Sequence, residues 1–78
     1  MGKEQKEFLE EQLQWTKDQI RILDEMDEKL QAMKKIAEYA AENDLSSSER
    51  EELSAQLEKL KSEYDFLEKQ RHIKQLLF

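Results

Sequence analysis

The chain of 78 residues has no cysteine, no proline and one glycine, Gly2. Without cysteine there is neither a disulfide framework nor a thiolate metal site, so no covalent staple supports so small a fold. Without proline, and with the glycine at the very start, nothing in the interior removes a backbone donor or loosens a helix. Long apolar runs are missing as well. No stretch approaches the ~20 residues a membrane span needs, and the opening MGKEQKEFLEEQ holds no signal-peptide core. The Met-Gly start is followed by Gln5 and Lys6 where a myristoylation site prefers Ser or Thr, so a lipid anchor is not expected. The expected location is the cytoplasm, by default and in keeping with the lack of cysteine.

What the chain does contain is charge: 41% of residues are charged against 37% hydrophobic, which is the balance of long solvated helices rather than of a sheet. The expected class is all-α. A net charge of −6 repels phosphate backbones and anionic lipid, so neither nucleic acid nor a membrane surface is an expected partner. The C-terminal KQRHIKQLLF, from Lys69, has three basic residues and no acidic one, as suits the end of a helix dipole.

From about residue 3 to 43 the residues Leu9, Leu13, Ile20, Leu23, Met26, Leu30, Met33, Ala37 and Ala40 recur at three- and four-residue steps, with Thr16 filling one gap. The mean step is close to 3.5, the period of a seam that wraps a neighbouring helix. Asp27 stands where strict heptads want an apolar residue and Met26 replaces it, which predicts a local slip in the repeat. A second row, Phe8, Trp15 and Ile22, runs beside the first at seven-residue spacing and makes the apolar face wider than one neighbour can cover.

Helix chemistry stops once, in AAENDLSSSEREEL from Ala40 to Leu53. Asn43 and Asp44 interrupt the helix formers, and Ser46, Ser47 and Ser48 are successive N-cap candidates ahead of an acidic first turn. Ser46 with Glu49, or Ser48 with Glu51, makes a capping box, and Leu45 is placed to act as a hydrophobic staple. The expected loop is about 44–47.

A second helix, about 48–75, follows with Leu53, Leu57, Leu60, Tyr64 and Leu67 alternating four and three apart. The whole chain, 1–78, therefore reads as a single two-helix antiparallel coiled-coil hairpin. Close approach is expected at Ala37, Ala40 and Ala41, with Ala40 opposite Leu53, Met33 opposite Leu60, Leu30 opposite Tyr64, and Phe78 arriving near Trp15. The first helix is longer than the second by about a dozen residues, and these carry Phe8, Leu9 and Leu13. Leaving such side chains in water forfeits ~1.5–3 kcal/mol each, so they require cover. The expected solution is a homodimer forming a four-helix bundle, with Phe8, Leu9, Leu13, Trp15 and Ile22 as the interaction residues; another protein partner is the alternative.

No constellation for chemistry is apparent. Asp24 with Asp27 or Glu28, and Glu51 with Glu52, read as solvated carboxylates, since helical di-metal sites require a Glu-x-x-His pair that the single histidine, His72, does not complete. No catalytic residue, metal, cofactor or small-molecule substrate is expected. Three methionines are too few for an adaptable groove.

The segment LQAMKKIAEYAAENDLSSSEREELSAQLEKLKSEYDFL, residues 30–67, resembles the helical hairpin in the N-terminal conserved half of bacterial flagellins. Leu30, Gln31, Met33, Ala37, Ala40 and Ala41 match the approach to the turn, and Arg50, Glu52, Leu53, Leu60 and Glu63 match the returning helix. That resemblance implies a structural, self-associating helix pair. Length and layout are also similar to the small aspartyl-phosphate phosphatases of sporulation phosphorelays, whose second helix carries Ser-Gln-Glu-Leu-Asp. Here LSAQLEKLKSEY has Ser54, Leu57 and Glu58 at corresponding places, with Ala55 for the motif glutamine and Glu58 for its aspartate. This second resemblance implies action on a phosphorylated response regulator, with the chemistry at Glu58. The leading expectation is a non-enzymatic protein-protein interaction or self-association module.

Overall fold

The computed structural model describes residues 2–76, and the expected approach of Phe78 to Trp15 lies outside them. Two helices, α1 (Lys3–Glu42, 40 residues) and α2 (Ser47–Leu76, 30 residues), make up nearly all of it, and there is no strand among the described residues. They pack antiparallel as a hairpin. The extents are 67 × 18 × 12 Å, and the long one is set by α1, since 40 residues at 1.5 Å each span ~60 Å.

The turn is held by side chains that take over from helix hydrogen bonds. α1 ends at Asn43, whose backbone is extended (φ −124°, ψ 144°) and whose Nδ2 donates to the carbonyl of Tyr39 at 2.8 Å. That satisfies one of the carbonyls a helix end leaves without an amide. Of the two capping registers open in the sequence, the Ser46 one is adopted. Ser46 Oγ accepts from the amide of Glu49 at 3.1 Å and donates to the Glu49 carboxylate at 3.2 Å. The expected apolar staple is absent: Leu45 is half-buried, but the residue it would meet is Arg50, whose guanidinium donates to the Leu45 carbonyl through Nε (3.3 Å) and Nη2 (3.2 Å).

The core is small. Among the described residues Ile22 (2% exposed), Met26 (6%) and Leu67 (7%) are its buried apolar side chains, with Tyr64 packed against them. On α2 the residues facing α1 are those the spacing indicated, with Leu53, Leu57, Leu60 and Tyr64 half-buried around buried Leu67. On α1 the inward row is Gln12, Trp15, Gln19, Ile22, Met26, Lys29, Met33 and Ile36, all half-buried or buried. This corrects the single seam with a slip. Met26 and Met33 belong to a different heptad row from Leu9, Leu13, Ile20, Leu23 and Leu30, and the two rows lie one residue, or about 100°, apart round the helix.

The pairing is corrected with it. Ala37, Ala40 and Ala41 are exposed, and Ile36 instead shares a groove with Leu53. Leu30 is 47% exposed rather than set on Tyr64. Alanine has little area to bury, so the closer packing goes to the row that carries Trp15, Ile22 and Ile36.

Candidate interaction surface

Polar ties between the helices fix how this row sits on α2. Trp15 Nε1 donates to the carbonyl of Lys74 at 2.8 Å, and Gln19, itself 8% exposed, donates through Nε2 to the carbonyl of Arg71 at 3.4 Å. Lys29 and Glu63 form a 2.8 Å ion pair, and Lys74 lies 3.7 Å from Asp18. Among the described residues no buried side-chain nitrogen or oxygen lacks a partner.

The Lys29–Glu63 pair is the best-formed of these. Its hydrogen bond raises the Lys29 pKa above the ordinary value of 10.5 and lowers that of Glu63 below 4.5, in each case against the cost of partial desolvation. On α2, Arg71 donates to Glu68 at 2.6 Å and holds the Glu68 carboxyl below its ordinary range as well.

The five residues expected to mediate interaction divide into two sets. Ile22 is in the core and Trp15 is half-buried with its indole bonded to α2, so both are used inside the hairpin. Phe8 (57%), Leu9 (61%) and Leu13 (56%) are exposed. Trp15 meeting Lys74 places the N-terminal part of α1 past the described end of α2, and every residue from 2 to 11 is exposed.

Three further residues on α1 are exposed: Ile20 (53%), Leu23 (49%) and Leu30 (47%). With Leu9 and Leu13 they form one strip at four-, seven-, three- and seven-residue steps, rotated about 100° from the row that faces α2. Their period was visible in the sequence, but as the hairpin seam rather than as a face left open. On α2, Phe66 (62%) and Ile73 (58%) are exposed seven residues apart, and Phe66 lines a groove with Glu25, Lys29 and Glu63. Tyr39 (50%) lines a second groove with Leu53 and Glu52.

Chemistry-bearing groups do not converge. Among the described residues no three His, Cys, Asp or Glu side chains lie close enough to hold a metal ion. Ser54 and Glu58 are exposed one helical turn apart on α2, Leu57 is half-buried on the seam, and His72 is exposed. No described helix is long and apolar enough to cross a membrane. Compared with family models, curated proteins and solved structures, the chain matches none.

Proposed function

We propose that this chain is a non-enzymatic self-association module: a helical hairpin whose open α1 strip is covered by a second copy, giving a homodimer with four helices. The observation that carries this reading is the strip itself. Five large apolar side chains, Leu9, Leu13, Ile20, Leu23 and Leu30, stand about half exposed or more in one heptad row of one helix.

Surface area supports the same reading. The chain exposes 6520 Å², whereas a compact monomer of 9.4 kDa is expected to expose about 5,000 Å². The difference, about 1,500 Å², exceeds the ~800 Å² that each partner commonly buries in a specific interface. Among the described residues the core holds three buried apolar side chains, which is slight for a chain with no cysteine to form a disulfide. The resemblance of residues 30–67 to the flagellin hairpin, a self-associating helix pair, agrees with it. Cytoplasmic location belongs to the same proposal.

Sedimentation equilibrium across the micromolar range tests this. The expected result is a folded dimer that Leu13→Asp shifts toward monomer; a folded monomer for the unaltered protein at tens of micromolar would overturn the reading.

The competing enzymatic reading is a phosphatase acting on a phosphorylated response regulator. Ser54 and Glu58, exposed on one side of α2, favour it. Faster loss of phosphate from a phosphorylated receiver domain, abolished by Glu58→Ala, would establish it in place of the first.

A further inference from the structure

We propose that the two copies pair through this strip antiparallel and in one register, with Leu13 of each facing Leu30 of the other and Ile20 facing Leu23. The proposal rests on the self-association reading and specifies its geometry.

From Leu9 to Lys34 the row on α1 is Leu9, Leu13, Thr16, Ile20, Leu23, Asp27, Leu30 and Lys34, alternating four and three residues as a two-stranded seam requires. Its polar members discriminate between arrangements. In a parallel, in-register pair Asp27 would meet Asp27 of the second copy and Lys34 would meet Lys34, placing two like-charge layers in the seam. An antiparallel pair avoids both.

Antiparallel layers join one alternate set of the row (Leu13, Ile20, Asp27, Lys34) to the other (Leu9, Thr16, Leu23, Leu30), and neighbouring registers differ by one heptad. One register sets Asp27 on Leu9 and Ile20 on Thr16. A second sets Asp27 on Leu23. The third, between them, sets Leu13 on Leu30, Ile20 on Leu23 and Asp27 on Thr16, so apolar meets apolar and the charged residue meets a polar one. By two-fold symmetry each of these layers occurs twice. Toward each end the layers are Lys34 on Leu9 and then Lys6 on Ala37, where a lysine stem can cover an apolar side chain with its ammonium in water.

Two further features agree with this register. On the strip's outer edge Lys17 comes within two residues of axial level, ~3 Å, of Asp24 of the second copy, and Lys3 comes equally close to Glu38. In addition, residues 3–11 of α1, which run past the described end of α2 in their own chain, lie alongside residues 32–40 of the second copy. The projecting end is covered by the same contact that covers the strip.

The absence of cysteine makes the test direct. Leu13→Cys/Leu30→Cys is oxidised, digested and its disulfides mapped, with sedimentation and circular dichroism on the reduced protein. Within one helix these positions are ~25 Å apart, so a disulfide between them reports two chains. Thr16→Cys/Asp27→Cys, ~16 Å apart in one chain, repeats the test without removing an apolar side chain. The expected result is a covalent dimer dominated by the 13-to-30 and 16-to-27 linkages. Homotypic linkages, 13 to 13 or 27 to 27, would overturn the antiparallel register. So would a dimer in sedimentation that yields no disulfide in either variant, which leaves self-association standing through another face. A folded monomer for the unaltered protein overturns both this register and the function proposed above.

Discussion

The indole Nε1 of Trp15 donates to the carbonyl oxygen of Lys74 at 2.8 Å, so a side chain of α1 closes the last turn of α2. A backbone carbonyl has two lone pairs, so one on the flank of a helix can accept from a side chain of the neighbouring helix. Gln19 makes the same kind of contact one turn earlier, to the Arg71 carbonyl. Together they set the axial position of α2 on α1. Trp15→Phe keeps an aromatic side chain but removes the donor and part of the ring system, and is expected to lower stability by about 1 kcal/mol or more in urea denaturation. An unchanged midpoint would show that this bond does not hold the register.

One position along α1 separates hairpin stability from association. Ile22 is 2% exposed and Leu23 is 49% exposed. Ile22→Ala leaves a cavity in the core and is expected to cost ~2–5 kcal/mol. Leu23→Asp places a charge on the open strip, so the expected outcome is weaker dimerisation in sedimentation, with the loss of stability depending on protein concentration. Equal effects of the two substitutions on a monomeric protein would contradict this division of the helix faces.

The cap makes a similarly local prediction. Ser46 accepts from the Glu49 amide, while Ser48 makes no such bond among those found at the turn. Ser46→Ala is expected to cost about 1 kcal/mol, whereas Ser48→Ala, inside the first turn of α2, is expected to change stability by no more than about a few tenths. Denaturant midpoints for the two variants check the difference, and a larger loss for Ser48→Ala would move the start of α2.

Acid and base should act on the hairpin from opposite sides. Glu63, held by Lys29 with Lys59 nearby, has its pKa lowered in the folded state, as does Glu68 beside Arg71 and His72. Their contribution is complete above the ordinary carboxyl value of 4.5 and is lost as pH falls below it through the folded values. Lys29, facing Glu63, Glu28 and Glu25, has its pKa raised, so its contribution is complete below 10.5 and is lost as pH rises through the folded value. Thermal midpoints between pH 3 and 7, for the unaltered chain and Glu63→Gln, are expected to show a smaller acid-side loss in the variant. These groups are well solvated, so the difference is expected to be modest and to shrink with added salt.

The sequence by itself determined that this protein is a pair of helices. Period, the lack of proline and interior glycine, and the serine cluster before an acidic turn act within a few residues, so they need no knowledge of distant contacts. The inward face of α2 was legible for the same reason: Leu53, Leu57, Leu60, Tyr64 and Leu67 form its most regular apolar row. On α1, two apolar rows one residue apart had comparable claims, and local periodicity cannot rank them. The tertiary structure decided, because α2 is one helix wide and covers one row. It took the row in which Ile22 and Met26 close on Leu67 and in which Trp15 and Gln19 reach the carbonyls at the end of α2. The consequence is that Leu9, Leu13, Ile20, Leu23 and Leu30, which read as the inside of a hairpin, stand on its outside.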